Sequence, residues 1–253
     1  MNFAMNFAGK VAFVTGAGGG MGFKIAHDLI SRGAKVLMFD IKSEPEGVLE
    51  FGDQCRYVQG DLTQDSAVVA AVELAVAEFG GIDYLANVAG ALLFGKDQSA
   101  LDIDLDIWEK VMAINLKSIV HTSRHVVPHM RKRGSGAMVH FSSSQCMRGD
   151  LAPQDAYQAA KAGVIAFSKS LAIQLAGAQI RSNVIIPGPC ASPMQERWGN
   201  NPAAKAATAE AIPLARVGEV DDMSNACLFL LSDNASFITG TELLVDGGLL
   251  ARP

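Results

Sequence analysis

Tyr157 and Lys161 stand four residues apart in the stretch YQAAK, and three consecutive serines, Ser142, Ser143 and Ser144, precede them. Four residues is about one helical turn, so on a helix the phenol and the ammonium share a face. A free tyrosine titrates near 10, too high for a proton shuttle at neutral pH, and an adjacent cation favours the phenolate and lowers that value. Such a pair can give a proton to a forming alkoxide or take one from an alcohol. A Tyr–Lys pair on a helix is by itself commonplace and marks a solvated face. The serine-rich segment before it and a glycine-rich segment near the N-terminus raise this one to a candidate proton-transfer site.

The glycine-rich segment is TGAGGGMG, residues 15–22. It follows an apolar run and opens a helical pattern. In that strand–turn–helix context, glycines permit a tight turn and let a phosphate approach free N–H groups at a helix N-terminus. The glycines at 16, 20 and 22 depart from the usual GxGxxG spacing. Asp40 closes the next apolar run, 18 residues after Gly22. A carboxylate there accepts hydrogen bonds from both hydroxyls of an adenosine ribose and repels a 2′-phosphate, which favours NAD over NADP. No Lys or Arg lies in the glycine turn, and Lys42 is the nearby cation.

These groups need a frame. Seven short apolar runs, KVAFVT, KVLMFD, CRYVQG, DYLANV, AMVHFS, IRSNVII and TELLVD, alternate with helix-period segments at residues 21–32, 66–79, 107–131, 155–175 and 220–231. Most runs are apolar at consecutive positions, as strands buried on both faces are. The alternation predicts an α/β fold: a doubly wound parallel sheet with helices on both faces and right-handed crossovers, in a single domain over residues 1–253. Segments 91–106 and 190–215 interrupt the rhythm after the fourth and sixth strands. Both are expected at the carboxyl edge of the sheet, where ligands of open parallel sheets sit. Segment 190–215 has the place and apolar composition of a substrate lid, with Met194 and Trp198 as substrate contacts and Pro187 and Gly188 as a hinge.

With 49% hydrophobic and 19% charged residues, the 253-residue chain can build one sizeable core. A net charge of −5 and no basic run longer than RKR at 131–133 argue against nucleic acid as a partner. No apolar run approaches the roughly 20 residues of a membrane span, and no basic segment precedes the apolar stretch at the N-terminus. Cys55, Cys146, Cys190 and Cys227 lie far apart, as free thiols in a reducing cytoplasm do, so a cytoplasmic protein is expected. HTSRHVVPHM sets His121, His125 and His129 at metal-ligand spacing, yet with no carboxylate or cysteine among them and with Pro128 in the last turn. A surface or subunit-contact face is the expectation there, and no metal. DIDLDI at 102–107 lacks the central glycine and distal glutamate of a calcium loop and reads as a solvated connector.

Taken in order, TGAGGGMG, GDL (60–62), NVAG (87–90), IN (114–115), the serine turn, YQAAK, PG (187–188) and the ending SDNASFITGTELLVDGG resemble the single-domain short-chain dehydrogenase/reductases over essentially the whole length. The resemblance implies a seven-stranded Rossmann-type sheet and a nicotinamide cofactor. It also implies interconversion of a small-molecule alcohol and ketone, and a homotetramer or homodimer. Cofactor contacts are implied for Gly16, Gly18, Gly20, Met21 and Gly22 in the turn, and for Asp40 and Ile41 at the second strand. Asp61 and Leu62 would bracket the adenine. Asn87, Ala89 and Gly90 would line the cofactor beside the fourth strand, with Val88 where the family more often has a second Asn. Ile186, Pro187 and Gly188 would face the nicotinamide end. Tyr157 would be the general acid/base; Lys161 would lower its pKa and hold the nicotinamide ribose. Asn115 would hold a water relay to the lysine, and a serine would orient the substrate oxygen.

The family pattern puts that serine second in an SS pair after the fifth strand, which selects Ser143 and leaves Gly149 six residues on. Counting back 13 residues from Tyr157 selects Ser144 instead. A one-residue insertion within DLAPQDA would make the counts differ so. Strand ends vary less than loops, so Ser143 is the expected residue, and alternation along an extended chain keeps both hydroxyls from facing the cofactor together. Two other functions fit the cofactor-binding features: a dinucleotide-binding sensor or scaffold without turnover, which has no need of the Ser–Tyr–Lys set, and an NADP-dependent carbonyl or 3-oxoacyl reductase. An epimerase-type relative would need a larger C-terminal portion.

Overall fold

The computed structural model describes residues 5–192 and 201–252. The seven apolar runs form seven strands: β1 (Val11–Thr15), β2 (Lys35–Asp40), β3 (Cys55–Gln59), β4 (Tyr84–Asn87), β5 (Gly136–Phe141), β6 (Ile180–Pro187) and β7 (Glu242–Val245). They make one sheet in the order β3-β2-β1-β4-β5-β6-β7, and every pairing is parallel. The chain winds outward to β3, then returns to place β4 on the other side of β1. That reversal opens a crevice at the carboxyl ends of β1 and β4.

Helices cover both faces, which is why β1 is buried at every position. On one face α1 (Gly20–Ile30) and α7 (Val220–Leu231) close over Ala12, Val14, Val36 and Val139. On the other, α2 (Asp65–Phe79), α4 (Ser118–Arg133) and the last turn of α5 (Asp155–Leu175) close over Phe13, Leu37, Leu85 and Met138. No described helix is long and apolar enough to cross a membrane.

Three elements differ from the expectation. The helix over 107–131 is divided into α3 (Leu105–Met112), a π turn (Ala113–Lys117) and α4. At that turn the Asn115 amide donates to the Val111 and Ala91 carbonyls and accepts from the Ala91 N–H, so its side chain serves the neighbouring loop as well as its own helix. DIDLDI is not a solvated connector throughout, because Asp104 accepts from the Asp106 N–H and caps α3. Within the irregular segment 190–215 lies α6 (Pro202–Glu210), with the Asn201 side chain accepting from the Ala204 N–H and proline in the first turn. Met194 and Trp198 lie outside the described residues.

Candidate active site

A cleft of about 460 Å³ lies at the switch point. One end is formed by Asp40, Ile41 and Lys42 with Asp61, Leu62 and Thr63; its middle is formed by Gly16, Gly19, Gly20, Met21 and Gly22; its far end is formed by Val88 to Leu92, with Ser192. The turn can only be glycine at two places. A Cβ at Gly22 would fall 2.1 Å from the Gly16 carbonyl oxygen, and one at Gly16, which adopts φ +69°, would fall 2.8 Å from the Ala89 backbone. The first turn of α1 has no acidic residue, and no side chain caps it. Its amides and the positive end of the helix dipole therefore remain available to an anion. Asp40 is anchored by the Gly18 N–H at 2.8 Å and the Lys42 N–H at 2.9 Å. A phosphate cradle, a ribose-height carboxylate and an elongated cleft fit a dinucleotide.

At the far end, a Cβ on Gly90 would lie 3.0 Å from both Asn115 Oδ1 and Lys161 Nζ. Lys161 is 2% exposed and donates to the Phe141 carbonyl at 2.9 Å, and its own carbonyl accepts from the Ser142 hydroxyl at 2.7 Å. The ammonium stands 5.6 Å over the Tyr157 ring. Burial lowers the lysine to about 8 and raises Tyr157 to about 12; a hydrogen bond with the Ser143 hydroxyl acts in the opposite sense on the phenol. The expected lowering of the phenol by Lys161 is therefore reversed in this structure. The ammonium sits over the ring face rather than beside the hydroxyl, and it is spent on a carbonyl, so desolvation dominates.

Of the three serines, Ser143 is partly exposed, while Ser142 and Ser144 are 4% exposed each. The structure thus brings Ser143, Tyr157, Lys161 and Asn115 together beside the Gly90 end of the cleft. Asp61, Leu62, Ala89, Gly20 and Ile41 line the cleft itself. Four expected contacts are not among the residues lining the cleft. Gly18 backs onto Asp40. The Asn87 amide is turned into the core, hydrogen-bonded to His140 and Thr122. Pro187 ends β6, and Gly188 packs against Asp246 beside β7. Two of the three histidines on α4 are engaged too: His121 with the Leu62 carbonyl and His125 with Asp65 on α2.

Several residues at the site carried no clear signal in the sequence. Thr15 holds the end of β4, its hydroxyl accepting from the Val88 and Ala89 N–H groups. Cys146 places its thiol against the Ser143 carbonyl and the Ser142 hydroxyl. Asp97 accepts from the Ala156 and Tyr157 N–H groups from 59 and 60 residues away, a contact that no local spacing could announce.

A sequence model of the family described as enoyl-(acyl carrier protein) reductase matches residues 16–250. The chain is 37% identical to a 3-alpha-(or 20-beta)-hydroxysteroid dehydrogenase of Mycobacterium tuberculosis, over 96% of this chain and 90% of that protein. It is 35% identical to the cis-4-hydroxycyclohexanecarboxylate dehydrogenase of Sinomonas cyclohexanicum, over 97% of this chain and 98% of that one. A crystal structure assigned as a short-chain dehydrogenase/reductase from Burkholderia xenovorans superposes with a TM-score of 0.90 at 33% identity, covering 99% of this chain and 100% of that one.

Proposed function

The chain belongs to the short-chain dehydrogenase/reductase family, and we propose on that footing that it is an NAD-dependent enzyme interconverting a secondary alcohol and a ketone. The observation that carries the proposal is the buried Tyr157–Lys161 pair, with the ammonium 5.6 Å from the ring centre and Ser143 beside the phenol, at the Gly90 end of the cleft. Gly16, Gly20, Met21 and Gly22 would hold the pyrophosphate, Asp40 the adenosine ribose, and Asp61 and Leu62 the adenine. Lys161 and Asn115 would hold the nicotinamide half beside Gly90. A bound nicotinamide dinucleotide supplies or accepts the hydride.

In ketone reduction Tyr157, kept in its neutral form by burial, donates its proton to the carbonyl oxygen as negative charge develops there. Ser143 donates to the same oxygen and fixes its direction. Lys161 keeps a positive charge below about pH 8 and stabilises the phenolate left behind. The names of the two dehydrogenase relatives, one for a hydroxysteroid and one for a hydroxycyclohexanecarboxylate, support a secondary alcohol on a ring-containing skeleton as the substrate class. Residues 190–215 would close over it, with Met194 and Trp198 as contacts. Exposed Ile173 on α5 and Leu244 on β7 support assembly as a homodimer or homotetramer, and a cytoplasmic location fits four free cysteines.

The test is a panel of cyclic and linear ketones and alcohols with NAD(H) and NADP(H), followed by absorbance of the reduced cofactor, for the wild type and Tyr157→Phe. Turnover lost in the variant, with NADH binding retained by fluorescence titration, is the expected result. Equal rates in both proteins would sink the assignment. A preference for NADPH would shift the reading to the carbonyl reductases, with Lys42, which lines the cleft, as the phosphate contact.

A further inference from the structure

The first turn of α5 is not capped by its flanking residue: Gln154, at the N-cap, makes no side-chain cap bond. The cap comes from the loop after β4. Asp97, 3% exposed, accepts from the Ala156 N–H at 3.2 Å through one carboxylate oxygen and from the Tyr157 N–H at 2.9 Å through the other. No ion pair reaches Asp97 among the described residues; the two amides and the positive end of α5 satisfy its charge. The contact is reinforced both ways. The Asp155 N–H donates to the Gln98 carbonyl, and the Ala100 N–H donates to the Asp155 carboxylate at 2.7 Å.

The same loop is held at its beginning. Ala91 exchanges two hydrogen bonds with the Asn115 amide, each of 3.0 Å, and Ala91 and Leu92 line the cleft. Within seven residues, from Ala91 to Asp97, the loop therefore joins the cleft wall to the backbone amide of the tyrosine whose phenol does the chemistry. Leu92 and Leu93 also pack in one apolar cluster with Tyr157, Ala156 and Trp108. A helix capped by its own flanking residue would be just as stable, yet free to slide against that wall.

We propose that Asp97 is a positioning residue for Tyr157: from the cleft loop it fixes the first turn of α5, and with it the height of the phenol over the Gly90 end of the cleft. The inference rests on the proposed oxidoreductase function. A carboxylate serves here because two adjacent N–H groups need two acceptor oxygens and a negative charge against the helix end. An amide offers one oxygen, and its NH₂ meets the second N–H donor against donor.

The test compares Asp97→Asn and Asp97→Ser with the wild type and Tyr157→Phe in the full chain, using the ketone that the wild type turns over fastest. Rates are normalised to NADH-binding sites counted by fluorescence titration, so that misfolded protein drops out. Misplacing the proton donor lowers kcat at least about tenfold, with the KM and Kd for NADH within about twofold. The Ser variant, which keeps one short acceptor and no charge, falls at least as far as the Asn variant. Wild-type kcat per site together with a lowered melting temperature would show an ordinary helix cap and overturn the inference. A kcat loss matched by an equal rise in KM and Kd for NADH would overturn it as well, since the cleft and not the phenol would then have moved. If the wild type is active and Tyr157→Phe inactive while the Asp97 variants keep their rate, the functional reading stands and this inference alone fails. If the wild type turns over no ketone, both fail.

Discussion

His140, near the carboxyl end of β5, should make the fold sensitive to mild acid. Its ring is 0% exposed, with Nδ1 3.0 Å from Asn87 Nδ2 and Nε2 3.2 Å from the Ser182 hydroxyl. Asn87 Nδ2 has only protons to offer, so Nδ1 accepts and the ring proton sits on Nε2. A second proton would have no solvent and would face a donor. Burial accordingly depresses the folded-state pKa from 6.5 to about 3. The unfolded chain takes up that proton near 6.5 and the folded chain does not. The stability tied to this group is therefore complete above pH 6.5 and is lost as the pH falls from 6.5 toward 3. Each pH unit in that window costs about 1.4 kcal/mol, and the whole interval about 5 kcal/mol, comparable with the 5–15 kcal/mol stability of an ordinary domain.

Replacing the ring removes the titration. His140→Asn and His140→Gln should each be about 1–3 kcal/mol less stable than the wild type at pH 7.5, because a packed ring and a buried hydrogen bond are lost. Their decline between pH 6 and pH 4 should be shallower by about 1.4 kcal/mol per unit. The stability curves should thus converge, and for a loss of about 2 kcal/mol they meet near pH 5. Urea unfolding followed by circular dichroism, at half-unit pH steps and fixed protein concentration, reads both slopes. All other titrating groups are common to the proteins and cancel in the difference. Parallel curves would refute the reasoning, since they would mean that the folded protein accommodates a charged His140 at no cost.

Lys161→Met should abolish turnover while raising the melting temperature at pH 7. The fall of this lysine from 10.5 to about 8 corresponds to about 3 kcal/mol of burial penalty, present in full below pH 8 and relieved as the pH rises toward 10.5, so the stability gain should shrink across that window; calorimetry at pH 7 and pH 10 measures it. Gly22→Ala should cost about 1–3 kcal/mol of stability and weaken NADH binding at least about tenfold, because its Cβ would overlap the Gly16 carbonyl oxygen at 2.1 Å; Gly149→Ala, with nothing within 4 Å, is the control that should change neither. Asp40→Ser should raise the NADP(H)/NAD(H) ratio of kcat/KM by about tenfold or more, since like charges near a protein surface repel by about 1–3 kcal/mol at contact range; an unchanged ratio would mean that Asp40 does not meet the adenosine ribose.

The sheet was legible because the five inner strands are buried on both faces, so most of them read as short apolar runs bounded by polar turns. The π turn at Asn115 was not legible. Its cause is a pair of hydrogen bonds to Ala91, 24 residues earlier, and helical periodicity continues through it. Helix α6 was hidden by its own composition: PAAKAATAE has no apolar stripe, and none of its residues is buried. Asn87 illustrates a different limit. The motif announces a cofactor contact, but β4 directs alternate side chains to opposite faces, and this one enters the core network with His140 and Thr122. Asp97 lay in a loop with no pattern, and its partners are set by how that loop returns to α5.

The two reciprocal bonds between the end of β5 and α5, from Lys161 Nζ to the Phe141 carbonyl and from the Ser142 hydroxyl to the Lys161 carbonyl, have a consequence for how such a chain can vary. They staple strand to helix directly, bypassing the intervening chain. Ser143 and Tyr157 ride on opposite sides of that staple, so the span between them can gain or lose a residue in its exposed stretch around Arg148 to Leu151 without moving either hydroxyl. Counting from the strand and counting from the tyrosine then give different serines for a physical reason. The length of this loop is under no obligation to the chemistry, and its tip is a natural place for insertion or for a grafted recognition segment.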